Sequence, residues 1–170
     1  LSLGIPGDAV TAMLLGGLVM FDDPQGLACV KLTEWSSPGE EDDDELAVYG
    51  VNSRTGHVIY NANMYTLGLY GGNGAGNAQL SSPHGIAADA SGLVVVADTG
   101  NGRVVVLERR GTRMRAREFI SDGLSEPWGV ALGDRQSIYV TDRALGALLI
   151  YDSPSDSTPS TVPLDTPTGL

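Results

Sequence analysis

A chain of 170 residues with 42% hydrophobic and 18% charged residues is long enough for one sizeable core and too low in charge for a disordered acidic tail. Its 23 Gly and 9 Pro favour many short strands over a helical bundle, and a net charge of -11 opposes generic binding to nucleic acid or acidic membranes. The single Cys29 excludes an intrachain disulfide and a cysteine-based zinc site.

In chain order, the first feature is the uncharged run Ala9 to Phe21, thirteen residues long. It falls short of the roughly 20 needed to cross a bilayer and has neither a basic flank nor a small-residue cleavage site. The stretch Leu15 to Asp22 overlays Leu145 to Asp152, so it reads as the second half of a repeat unit. Next comes Pro24-Gln25-Gly26-Leu27, the first of four Pro-x-Gly-aliphatic tetrads. The others are Pro83-His84-Gly85-Ile86, Pro127-Trp128-Gly129-Val130 and Pro167-Thr168-Gly169-Leu170. A recurrence of this kind marks an internal repeat.

Between the first tetrad and the next strand lies an insertion around Thr33 to Glu45. It holds six consecutive carboxylates, Glu40 to Glu45, whose mutual repulsion predicts a solvated loop. The run lacks the alternating spacing and central Gly of a defined calcium loop. Trp35 falls in the same loop. Asn52 to Tyr60 then reads as a hairpin with Asn52 and Gly56 at the corner. The glycine-rich stretch Gly71 to Asn77 follows no strand-helix pattern of a phosphate loop and reads as a linker between units.

After the second tetrad, Leu93-Val94-Val95-Val96-Ala97-Asp98 is an apolar run of the sort buried on both faces. Gly102 opens the returning strand, as Gly146 does after Asp142 in the next unit. Asp makes the turn and Gly supplies the positive φ of the corner, so a valine at Gly102 should strain it. By this logic Asn52, Asp98 and Asp142 are turn formers rather than catalytic acids. Arg103 is expected to reach one of these acceptors. Five of the ten basic residues follow, from Arg109 to Arg117. Arg113, Arg115 and Arg117 alternate, so on a strand they share one face, either as a solvent face balanced by Glu108 and Glu118 or as an anion patch.

Tetrad spacings of 59, 44 and 40 residues suit four-stranded blades. The expected fold is an all-β propeller segment of about three complete blades with parts of two more. These are the end of a blade at 1–22, blades at 23–81 with the insertion 33–45, at 82–125 and at 126–165, and a start at 166–170.

The stretch Pro83 to Asp89, Gly92, Val94 to Asn101 and Arg103-Val104 closely resembles an NHL repeat. Pro127 to Asp152 resembles it with fewer marks, having Arg143-Ala144-Leu145 where the stronger copy has Thr99-Gly100-Asn101. The resemblance implies a propeller, commonly six-bladed, that fixes no particular reaction. It places the residue between Pro and Gly at the rim of the central channel, which makes Gln25, His84, Trp128 and Thr168 the ligand or partner sites. Trp128 offers a π face to a sugar or aromatic ligand, or packs over neighbouring strands. The tetrad holding His84 is also similar to the zinc-binding segments of peptidylglycine amidating lyase. One rim histidine is too few for a catalytic zinc site, and His57 aligns with a hairpin corner, so no zinc, calcium or other cofactor is assigned and His84 stands alone as a metal candidate.

The reading is a binding scaffold without a catalytic motif, whose partners are a protein or small molecule at the rim and the blades, or second copy, that close the ring. Two alternatives remain. One is a metal-dependent propeller lyase or lactonase completed by other blades, and the other is RNA or anion binding through the Arg109 to Arg117 face. The resemblance and the acidity point to a secreted or periplasmic setting.

Overall fold

The computed structural model describes residues 23–33, 46–63 and 66–164. Among them twelve strands form three four-stranded antiparallel sheets. The first sheet holds β1 (Pro24–Val30), β2 (Ala47–Asn52), β3 (His57–Asn63) and β4 (Thr66–Gly71). The second holds β5 (Ile86–Ala88), β6 (Leu93–Asp98), β7 (Arg103–Arg110) and β8 (Arg113–Ile120). The third holds β9 (Pro127–Leu132), β10 (Ile138–Asp142), β11 (Ala147–Tyr151) and β12 (Ser160–Pro163). In every sheet the strand order follows the chain, which is the meander expected of a blade. The segments read from sequence as flanking half-blades, the Glu40 to Glu45 run, Trp35 and Thr168 all lie outside the described residues.

The middle blade explains its own apolar run. Val94 and Val96 join Val105 and Leu107 in a core shared with Tyr49, Val51, Val58 and Tyr60 of the first blade. Leu93, Val95 and Ala97 turn the other way, joining Val104 and Val106 in a core with Ile138, Val140 and Leu149 of the third. A strand that buries both faces cannot alternate apolar with polar residues, and each buried valine contributes about 2 kcal/mol. By contrast β10 packs Ile138 and Val140 inward but leaves Tyr139 half-buried.

Gly56, Gly102 and Gly146 stand at the corners between second and third strands with φ of +66, +60 and +62°. A side chain at Gly102 would be strained and would also meet the Ser125 carbonyl oxygen at 3.1 Å. These corners, the tetrads and the linker from Gly71 lie at one end of the sheets. The turns at 89–92 and 111–112 lie at the other end, with the start of the acidic insertion, where Thr33 N donates to Ala90 O at 2.9 Å.

Two phenols tie neighbouring blades together and a third holds the linker after the first blade. Tyr60 Oη donates to Thr112 O across the first junction, Tyr70 Oη to Asn77 O, and Tyr151 Oη to Asp122 O at 2.7 Å. Burial raises the pKa of all three, and nearby Asp122, Asp142 and Asp156 push Tyr151 further the same way. A phenol whose pKa is raised by folding stabilises the native state fully below its unfolded value near 10 and loses that contribution as pH climbs above it. We therefore expect the urea midpoint to hold steady through mildly alkaline pH and to fall from about pH 10 upward, less steeply for Tyr151→Phe. A midpoint indifferent to strong alkali would contradict it.

Candidate functional site at the hairpin end

The rim begins with how each blade's inner strand is held. Asp98 is wholly buried, and its carboxylate accepts from Ser81 N at 2.6 Å, Asn101 Nδ2 at 2.8 Å and Arg103 Nε at 2.7 Å. Asp142, equally buried, accepts from Ser125 N, Glu126 N and Leu145 N. Asn52 accepts from the backbone and hydroxyl of Thr55. The two carboxylates thus close their own turns and also fasten the segment leading into the tetrad, a second task that turn chemistry alone did not reveal. Their oxygens are spent on the fold. Arg103 goes on to donate to Gly76 O and Gln79 O, pinning the glycine-rich linker.

The tetrad glycines meet across blade junctions. A Cβ on Gly85 would lie 2.7 Å from Trp128 O and 2.9 Å from Gly129 Cα, while one on Gly26 would lie 2.5 Å from His84 O. Gly85 N donates to Trp128 O at 2.8 Å, joining the second blade to the third. In the third blade the corresponding amide, Gly129 N, is taken by Thr141 Oγ1 at 3.0 Å.

Of the four rim residues read from sequence, His84 and Trp128 are brought together. Their rings stack with centroids 3.6 Å apart and planes inclined by 29°. The Arg143 guanidinium lies 4.1 Å from the indole centroid. Trp128 is half-buried, and its π surface is engaged by these two neighbours, so packing along the rim describes it better than an open stacking platform. Gln25 is exposed and donates from Nε2 to Asp23 Oδ1 at 2.5 Å, apart from the stacked pair.

The histidine is oriented by its partners. Its Nδ1 lies 2.8 Å from Ser82 O, which can only accept, and 3.1 Å from Thr99 Oγ1. Thr99 spends its own proton on Pro127 O at 2.6 Å and so presents a lone pair to the ring. Nδ1 therefore carries the hydrogen in the neutral ring, which leaves the Nε2 lone pair as the ring's acceptor. That nitrogen can accept a hydrogen bond, take a proton or donate to a metal. Among the described residues no three His, Cys, Asp or Glu side chains gather as a ligand set. His57 stands at the start of β3, paired with Asn52, at a hairpin corner.

Thr99 and Arg143 were not singled out as rim residues by sequence. The available signal was positional, since both directly follow the corner Asp of their blade.

The basic stretch divides. Arg109 is 2% exposed and leaves the face entirely. It crosses to the first blade, donating to Ala62 O at 3.1 Å and to Tyr49 Oη at 3.4 Å, with its guanidinium over the Tyr49 and Tyr60 rings. Arg113, Arg115 and Arg117 are exposed on β8, away from the rim. Glu108 is held by Arg110, at 3.0 Å, and that hydrogen bond lowers its pKa, the charge of Arg117 acting in the same direction.

Comparisons with known proteins accord with this geometry. Residues 80–107 match the family model for the NHL repeat. Human NHL repeat-containing protein 3 is 30% identical over 111 residues, which cover 63% of this chain and 27% of that protein. Among solved structures, a streptogramin B lyase superposes with a TM-score of 0.54 at 17% identity, over 72% of this chain and 40% of the other. A catalytically inactive virginiamycin B lyase from Staphylococcus aureus with quinupristin gives 0.57 at 11% identity, over 86% and 44%. The chain spans less than two thirds of each of these proteins. At such identities the structural likeness concerns the fold.

Proposed function

Since the chain carries an NHL repeat within an arc of propeller blades, we propose that it is a binding scaffold whose hairpin-end rim contacts a protein or small-molecule ligand. The observation that carries this is the stack of His84 on Trp128, with Arg143 beside it and the His84 Nε2 lone pair left as an acceptor. Aromatic and arginine side chains are the groups that anchor ligands most strongly.

Screening the chain against arrayed glycans and peptides, then repeating with Trp128→Ala and His84→Ala, tests the assignment. Selected ligands should lose about tenfold or more in affinity with either variant. Ligands bound equally by both variants and the parent chain would remove the rim as the site.

The likeness to lyase structures favours a second reading, in which a reacting centre lies over the channel and is shared with blades beyond this chain. A catalytic zinc needs about three protein ligands, so His84 would supply one and other blades the rest. Stoichiometric zinc or calcium in the full-length protein, lost in His84→Ala, would favour the enzyme. Metal content unchanged by that substitution would count against it.

A further inference from the structure

β8 is the outermost strand of its sheet, so the backbone groups facing away from β7 have no strand partner among the described residues. Such an edge is open to another strand unless something restricts what may pair there. Here the restriction is charge. Arg113, Arg115 and Arg117 stand exposed along it, and among the described residues no side-chain hydrogen bond or salt bridge holds them, Arg117 acting on Glu108 only through its charge. Arg113 is directly opposite Arg110, a like-charge pair that costs stability, and Glu108, opposite Arg115, is taken by Arg110. Among the described residues no carboxylate forms a salt bridge with this row. Glu108, Arg110, Arg113 and Arg115 line a shallow cleft of about 230 Å³.

We propose that the outer edge of β8 is a docking strand for an extended acidic segment of a partner protein. A strand laid along β8 has the same rise, about 3.3 Å per residue, so its alternate side chains repeat at the spacing of the arginine row. A carboxylate at every second position would then meet each arginine while the two backbones pair, the mode known as strand addition. Neutral or basic strands would leave the arginines repelled or unpaired, so the row selects as well as attracts. Arg117 is the extra residue of a bulge between the partners of Leu107 and Val106, and it ends the regular row. Single-stranded nucleic acid fits less well, because its binding relies on aromatic platforms. The aromatic of β8, Phe119, already carries the Arg103 guanidinium at 4.9 Å.

The test is fluorescence anisotropy on the whole chain at low salt. The probes are a labelled short peptide alternating threonine and glutamate, its lysine counterpart, and an oligouridylate of equal charge. We expect the glutamate peptide to bind and the lysine peptide not to bind. Each of Arg113→Gln, Arg115→Gln and Arg117→Gln should weaken binding about threefold and the triple variant about tenfold or more, while Arg115→Lys retains most of it. The sites are exposed, so unchanged melting temperatures would confirm that the losses report docking. Hydrogen exchange should slow at outward amides of β8 when peptide is added. Absence of binding, equal binding by the triple variant, unaltered exchange in β8, or tighter binding of the oligouridylate than of the peptide would each overturn the proposal.

Discussion

Gly85→Ala should cost about 3 kcal/mol, combining an overpacked junction with loss or distortion of a buried interblade hydrogen bond. The added methyl would sit 2.7 Å from Trp128 O, 2.8 Å from Val130 N and 2.9 Å from Gly129 Cα, all backbone atoms that no rotamer change can move aside. Relief requires the second and third blades to separate, which opens the core between them and stretches the bond from Gly85 N to Trp128 O. Gly111→Ala is the matched comparison. Its φ of +57° carries left-handed strain, but no atom lies within 4 Å of the new methyl, so its cost should be about 1 kcal/mol. Urea unfolding of the two variants decides between close approach and backbone strain as the stronger demand for glycine. Equal costs would mean the junction yields more easily than its backbone contacts imply.

Asp98→Ala should be comparably damaging, also about 3 kcal/mol, because the carboxylate is wholly buried and three donors converge on it. The arginine partner retains some access to water, its side chain being 14% exposed, which keeps the loss below that of a fully enclosed pair. Asp98→Asn should cost about half as much, since its carbonyl oxygen can still take the Ser81 amide. Combining Asp98→Ala with Arg103→Ala should cost less than the sum of the two, the difference being about 1 kcal/mol or more. Strict additivity would show that Arg103 serves the linker through Gly76 and Gln79 independently of the carboxylate.

The fold was legible because the repeat records local backbone demands. Asp142 and Gly146 announce a corner, and the run from Leu93 to Ala97 announces a strand enclosed on both sides, whatever surrounds them. Junction contacts depend on how one blade is set against the next, and spacing along the chain carries no measure of that. Hence the tetrad glycines were seen to recur without the reason, which is the neighbouring tetrad's backbone. Arg109 shows the same limit. It sits one residue from the exposed Arg110, yet the end of β7 abuts the first blade and places its guanidinium over the Tyr49 and Tyr60 rings. The resemblance put His84 and Trp128 at equivalent positions of neighbouring repeats, but their stacking and the part played by Arg143 depend on the angle between blades.

The junction has a consequence for how such a rim can change. The bond that splices one blade to the next uses the carbonyl of the residue between Pro and Gly, as Trp128 does for Gly85, and His84 O occupies the same place against Gly26. The peptide group there is committed to joining neighbouring blades, but every amino acid has that group, so the side chain is left free of the obligation. Randomising positions 25, 84 and 128 together should therefore yield mostly folded variants with altered surfaces. The tetrad works as a socket of fixed backbone with an exchangeable fitting, a division of labour suited to selecting new ligand preferences from one unaltered frame.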